Sequence, residues 1–104
     1  MLEKDTSTIA KQIENAVLIG VINQDQDEEQ VEEYLDELEF LTETAGARPV
    51  KRFVQKLNTP NPKTFVGTGK IHDIAQFVEE QEIGLVIFDD ELTPTQLRNV
   101  EKII

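Results

Sequence analysis

The sequence predicts an α/β fold: a small, open, mainly parallel sheet of three to four strands, flanked by helices and built from βαβ units. Two short segments, residues 16–22 and 85–88, are apolar on both faces, as strands are when helices cover both sides of a parallel sheet. Helical patterns lie between the strand patterns, which favours right-handed crossovers. A length of 104 residues is typical of one domain.

The first half contains a tail, a strand and an acidic helix. Residues 1–15 are polar and weakly patterned, which predicts a tail ahead of a domain over 16–104, either frayed or with a helical turn or two that carries Ile9 and Ile13. The strand over 16–22 leads to a helix over 28–45, with Asp27 and Gln30 as a capping box and Gly46 just past its end. Apolar residues at helical spacing predict its buried face: Val31, Tyr34, Leu35, Leu38, Leu41 and Ala45.

The second half predicts a strand over 47–56, with Pro49 at its beginning or on a sheet edge. A further short strand over 64–66 and a glycine turn precede a helix over 70–82. After the strand over 85–88, Thr93 and Pro94 begin a last helix. Its core-facing residues are expected to be Leu97, Val100 and Ile104. The sequence stops there without a helix stop signal, as expected of a cut within a longer protein.

The negative charge is concentrated in one helix. Residues 25–43 hold ten carboxylates and no base, so they account for all but −1 of the net charge of −11. Phosphate contacts need Lys and Arg, so an RNA surface would have to avoid this helix. Phe40 lies nearly opposite the apolar stripe, and we expect it to be exposed. It is either an ordinary surface aromatic or a contact with a further domain.

Composition excludes several other classes of protein. The chain has no cysteine, which excludes disulfides, thiolate metal sites and a cysteine nucleophile. The longest apolar run, residues 16–22, is much shorter than the roughly 20 residues of a membrane span. The N-terminus lacks the apolar region of a signal peptide. We therefore expect a soluble, cytoplasmic protein.

The glycine turn at residues 67–70 does not match either common nucleotide motif. A P-loop requires Ser or Thr after its lysine, but Ile71 follows Lys70, and His72 stands where a dinucleotide motif has its third glycine. His72 also has no Ser or Cys partner at a recognisable spacing, so no general-base chemistry is predicted. A helix N-terminus beside Lys70 would still suit a single phosphate, including one of an RNA backbone.

Acidic residues follow two of the predicted strands. Asp25 lies after the first strand, and Asp89 and Asp90 follow the strand over 85–88. Loops after parallel strands meet at the carboxyl edge of the sheet, where ligands usually bind. Carboxylates there would suit Mg²⁺. The alternative function is therefore a small metal- or phosphate-sensing switch domain with an acidic site at this edge.

Two motifs give the sequence a close resemblance to a known family. They are TFVGTGK at residues 64–70 and FDDELTPTQLRNVE at residues 88–101. Over residues 16–104 the chain resembles the N-terminal domain of the HflX family of ribosome-associated GTPases. The second family motif runs Leu-Ser-Pro-x-Gln-x-Arg-Asn-Leu-Glu. Thr93 replaces its serine and Val100 its second leucine, and both changes are mild.

The resemblance implies a non-catalytic domain that is cut before a helical hairpin and a GTPase domain. Family members act on the large ribosomal subunit, and some split or rescue ribosomes under stress. GTP and Mg²⁺ are then expected only in the absent GTPase domain. The implied partners are the large subunit with its rRNA, the hairpin and the GTPase domain. A third alternative is a purely intramolecular domain that restrains its GTPase neighbour. The residues implied to face rRNA are Gly67, Gly69, Lys70, Arg98 and Asn99.

Overall fold

A computed structural model describes residues 13–104 as a three-stranded parallel sheet with helices on both faces. The elements are β1 (Asn15–Ile22), α1 (Glu28–Thr44), β2 (Arg48–Lys56), α2 (Thr68–Glu80), β3 (Leu85–Phe88) and α3 (Pro94–Ile103). The strand order is β2-β1-β3, and both pairings are parallel. The fold class expected from the sequence is therefore confirmed. Most of the expected tail, residues 1–12, lies outside the described residues, and Asn15 begins β1.

Strand β1 is buried on both faces because it lies between the other two strands and between two layers of helices. Val17, Ile19 and Val21 join the core under α2 and α3. Leu18 packs with Val31 and Leu35 of α1 on the opposite face. Helix α1 therefore covers one face of the sheet by itself, and α2 and α3 share the other.

The helix ends follow the predicted capping chemistry. The Asp27 carboxylate accepts a hydrogen bond from the Gln30 amide at 2.9 Å, and the Gln30 side chain accepts one from the Asp27 amide at 3.0 Å. Thr93 and Gln96 form the same reciprocal pair at the start of α3. Gly46, with φ +96°, follows α1 in the left-handed conformation that favours glycine.

Arg52 of β2 joins the edge of the sheet to the acidic helix. Its guanidinium group lies 2.6 Å from Asp36, 3.2 Å from Glu32 and 3.3 Å from Glu39. Partial burial opposes its charge, but the hydrogen bond to Asp36 and the charges of Glu39 and Asp36 outweigh that effect and raise the pKa of Arg52. Three of the repelling carboxylates on α1 thereby gain a common cation.

Three details differ from the sequence-based predictions. Residues 64–66 form no strand: Phe65 makes only an isolated antiparallel bridge with Asn61, and its φ of +69° is incompatible with extended backbone. Helix α2 begins two residues early because Gly67 is its N-cap. The prediction that Leu97 and Ile104 face the core is wrong, since both are exposed and Gln96 is buried instead.

The apolar stripe of α1 is narrower than predicted. Val31 and Leu35 are buried and Leu38 is half-buried, but Tyr34, Leu41 and Ala45 are exposed. Thr42 takes an inward position because its hydroxyl donates to the Leu38 carbonyl at 2.7 Å. Phe40 is 66% exposed, which confirms the expectation of exposure. Its role as an interdomain contact remains a prediction.

Replacing Arg52 should destabilise the fold through electrostatics. We expect Arg52→Ala to lower the free energy of unfolding by about 1–2 kcal/mol, because three α1 carboxylates lose their cation. Arg48→Ala is the matched control, since Arg48 lies exposed on the same strand and pairs with no acid among the described residues. Urea unfolding at low salt and at 1 M salt measures the effect, which should shrink at high salt. Equal losses in both variants would contradict this role.

Candidate RNA-facing surface

The start of α2 is fixed to the end of β2 through Gly67. The Gly67 amide donates to the Gln55 side-chain oxygen at 2.7 Å. A Cβ atom at position 67 would lie 3.0 Å from the Gln55 side-chain nitrogen, so a larger residue there would have to shift the end of that side chain by a few tenths of an ångström. Gly69 differs, because a Cβ atom at position 69 would have no neighbour within 4 Å. Packing within the described domain does not explain that second glycine.

The other sequence-predicted residues lie on two neighbouring helices. Lys70 is half-exposed in the first turn of α2, and Arg98 is exposed on α3, which packs against α2. Asn99 is tied into the fold: its side-chain amide donates to the Lys63 carbonyl at 3.1 Å. No local sequence pattern indicates this contact, because the two residues are 36 positions apart.

The segments that carry these residues contain no acid. Residues 57–72 include Lys63 and Lys70 but no carboxylate, and residues 92–100 include only Arg98 as a charged residue. Both segments belong to the side of the sheet opposite α1. The structure therefore places the basic residues and the acidic helix on opposite faces. The surface formed by 57–72 and 92–100 is called the acid-free surface below.

Asp89 is the one buried carboxylate among the described residues. It is 5% exposed at the end of β3, and neither oxygen has a hydrogen-bond partner within the described part of the chain. A Cβ atom on Gly20 would lie about as close to Asp89 as to Val31 and Leu35, so this carboxylate has apolar neighbours under α1. Burial is the main reason that the pKa of Asp89 rises from 3.8 to about 6. The backbone at Val21 opposes the rise, and the charge of Asp90 adds to it.

The acidic site considered from the sequence is not favoured. Asp25 and Asp90 are exposed while Asp89 is buried. Over residues 13–104, no three acidic or imidazole side chains are grouped closely enough to hold a metal ion.

His72 is exposed on α2. Within the same range, no helix has the length and apolar character needed to cross a membrane.

Comparison with known proteins identifies relatives along the whole chain. A family described as "GTP-binding GTPase N-terminal" matches residues 32–104. A protein named GTPase HflX from Flavobacterium psychrophilum is 55% identical over 104 residues, all of this chain and 24% of the relative. GTPase HflX from Caldanaerobacter subterraneus is 40% identical over 93 residues, 89% of this chain and 21% of the relative.

GTPase HflX from Escherichia coli is similar over a comparable range. It is 36% identical over 91 residues, which are 86% of this chain and 20% of the relative. The chain thus spans at most about a quarter of the length of these three curated relatives.

Asp89 should make folding stability depend on pH. Because the pKa of Asp89 is higher in the folded state, folding favours the protonated form. The stability that this preference contributes is fully present below pH 3.8 and is lost as pH rises through about 6. Between pH 4 and pH 7 we expect the free energy of unfolding of the wild type to fall by about 2–3 kcal/mol relative to that of Asp89→Asn. Urea unfolding at both pH values measures this difference. Asp90→Asn is the control, since Asp90 is the exposed neighbour of Asp89, and it should change the pH dependence of stability much less. A stability difference between the wild type and Asp89→Asn that is the same at both pH values would contradict this role of Asp89.

Proposed function

The chain belongs to the HflX family of GTPases as an N-terminal domain, and from this premise we propose that it binds the large ribosomal subunit without chemistry of its own. In the full-length protein it regulates or positions a GTPase domain that binds GTP and Mg²⁺. The protein would then act on ribosomes in the cytoplasm, splitting or rescuing them under stress.

One observation supports an RNA-facing role most directly: the acid-free surface in a strongly acidic chain. RNA repels carboxylates and attracts Lys and Arg, so residues 57–72 and 92–100 are the part of the domain that suits rRNA, with Asp73 and Glu101 at their borders. Lys70 and Arg98 supply cations on this surface. Gly67 shapes the turn before α2, Gly69 leaves the backbone accessible, and Asn99 holds the neighbouring loop against α3.

No residue of this domain is proposed as catalytic. The glycine turn lacks the P-loop residues that hold phosphate and magnesium. His72 has no hydrogen bond to a nucleophile among the described residues. GTP hydrolysis is therefore assigned to the part of the full-length protein outside this chain.

Charge reversal tests the proposed surface. We expect Lys70→Glu combined with Arg98→Glu, in the full-length protein, to weaken binding to purified large subunits by at least about tenfold at physiological salt. Arg48→Glu is the control, since Arg48 begins β2 and lies at the opposite end of that strand from Gln55, which holds the Gly67 turn. Binding is measured by co-sedimentation, and thermal unfolding checks the fold. Unchanged affinity in a folded double variant would reject the RNA-facing role of these residues.

The second glycine of the turn permits a separate test. Gly69→Ala should leave the domain as stable or up to about 0.5 kcal/mol more stable, because alanine favours helix and its Cβ atom meets nothing. The same change should weaken subunit binding several-fold, because a methyl group would obstruct close approach of a partner to the backbone. Gln76→Ala, exposed farther along α2, controls for changes in the helix. Wild-type affinity in Gly69→Ala would show that no partner approaches there.

A further inference from the structure

We propose that a groove between the loop before α2 and helix α3 holds the sugar–phosphate backbone of ribosomal RNA, with Lys63 and Lys102 as phosphate contacts. This inference rests on the proposed function and names residues that the sequence analysis did not. The groove has a volume of about 350 Å³. It runs between Lys63 and Thr68 on one side and Asn99, Lys102 and Ile103 on the other. Of its lining residues, only the two lysines are charged.

The loop that carries Lys63 is held in place before any partner binds. The Asn61 side chain accepts hydrogen bonds from the amides of Lys63 at 2.8 Å and Thr64 at 3.3 Å. Two side chains of α3 then hold the loop: Gln96 donates to the Asn61 carbonyl at 2.8 Å, and Asn99 donates to the Lys63 carbonyl at 3.1 Å. A fixed backbone at Lys63 reduces the ordering that binding would otherwise require.

The basic character of the groove extends along one side of α3. Arg98 and Lys102 are four residues apart and therefore neighbours on the helix surface. Glu101 lies about 100° around the helix from Lys102, but it is three residues from Arg98 and therefore borders that cation. Neither Lys63 nor Lys102 forms an ion pair with a described residue. The groove therefore offers two unneutralised cations, with a third beside them.

The acidic helix does not cancel this charge. Helix α1 lies on the opposite face of the sheet from α3. With layers spaced at about 10 Å, the two helices are about 20 Å apart. The Debye length at physiological salt is about 8 Å, so most of the repulsion from α1 is screened at the groove. An RNA backbone can approach α3 while the acids of α1 point away from it.

The lining chemistry favours the backbone of RNA over its bases. Sequence-specific RNA recognition stacks unpaired bases on aromatic or arginine side chains. The groove is lined by lysine, asparagine, threonine and isoleucine, and by no aromatic residue. Lysine ammonium groups and polar side chains suit phosphate and ribose oxygens. We therefore infer a contact that depends on charge and shape rather than on nucleotide sequence.

The salt dependence of binding tests this contact in the full-length protein. Lys63→Gln combined with Lys102→Gln should weaken binding to purified large subunits by about tenfold at 0.1 M salt. Each lost phosphate contact should also lower the slope of log affinity against log salt by about 0.7–0.9, so the pair should lower it by about 1.5. Arg48→Gln with Lys51→Gln removes the same charge from β2 and should change the slope little.

The outcomes separate this inference from the proposed function. Unchanged affinity and slope in Lys63→Gln/Lys102→Gln, alongside weak binding by Lys70→Glu/Arg98→Glu, would reject the groove and leave the proposed function standing. An affinity loss without a change of slope would indicate a ribosomal protein at the groove and reject the RNA contact. No binding by the wild type would reject both.

Conservative variants guard against a loss that is merely structural. Lys63→Arg combined with Lys102→Arg keeps both cations and should bind within about threefold of the wild type. A loss as large as that of the glutamine pair, with thermal unfolding unchanged, would contradict phosphate contacts by these two side chains.

Discussion

The burial of β1 on both faces is the constraint on which the rest of the domain depends. A strand with Val17, Leu18 and Ile19 fully buried needs a strand on each edge and helices above and below. Parallel pairing to β2 and β3 makes each connection cross over the sheet, and the order β2-β1-β3 sends α1 to one face and α2 to the other. The sheet therefore separates the α1 face of the domain from the face formed by α2 and α3, and the surface charge of one face does not depend on that of the other. A large change on one need not disturb the other.

That independence reconciles a net charge of −11 with the large ribosomal subunit as the proposed partner, which is made largely of RNA. The excess of acids lies over residues 25–43, mostly on α1, where Arg52 neutralises part of their repulsion. The acid-free surface lies on the other side, and the loop over 61–66 is hydrogen-bonded to α3 there. The same arrangement would keep a ribosome-bound domain in one orientation, since turning it over would bring α1 against phosphate. Asp89 takes no part in this surface, because it is buried between β1 and α1. At neutral pH its burial lowers the stability of the fold.

Local chemistry made most elements predictable, and tertiary contacts account for the failures. Residues 16–22 and 85–88 were recognisable because both faces are apolar. The cap at Asp27 was recognisable because Gln30 lies three positions on, and the one at Thr93 because Pro94 follows it. Gln96 was not expected to be buried, because its burial depends on a donated hydrogen bond to Asn61, 35 positions away, in addition to its part in the cap. Residues 64–66 resembled a strand, but the turn built by Asn61 determines their conformation. Lys63 and Lys102 meet only in the folded chain, so no local pattern indicated their groove.

Footprinting of the full-length protein on large ribosomal subunits tests the central claim most directly. Hydroxyl radicals oxidise exposed side chains, and mass spectrometry reads the protection of each segment with and without subunits. We predict protection over residues 61–70 and 94–103, with α1 oxidised equally in both states, including at the exposed Phe40. Protection of α1 with no protection of residues 61–70 and 94–103 would contradict the account, because the acidic face would then be the one that meets the ribosome.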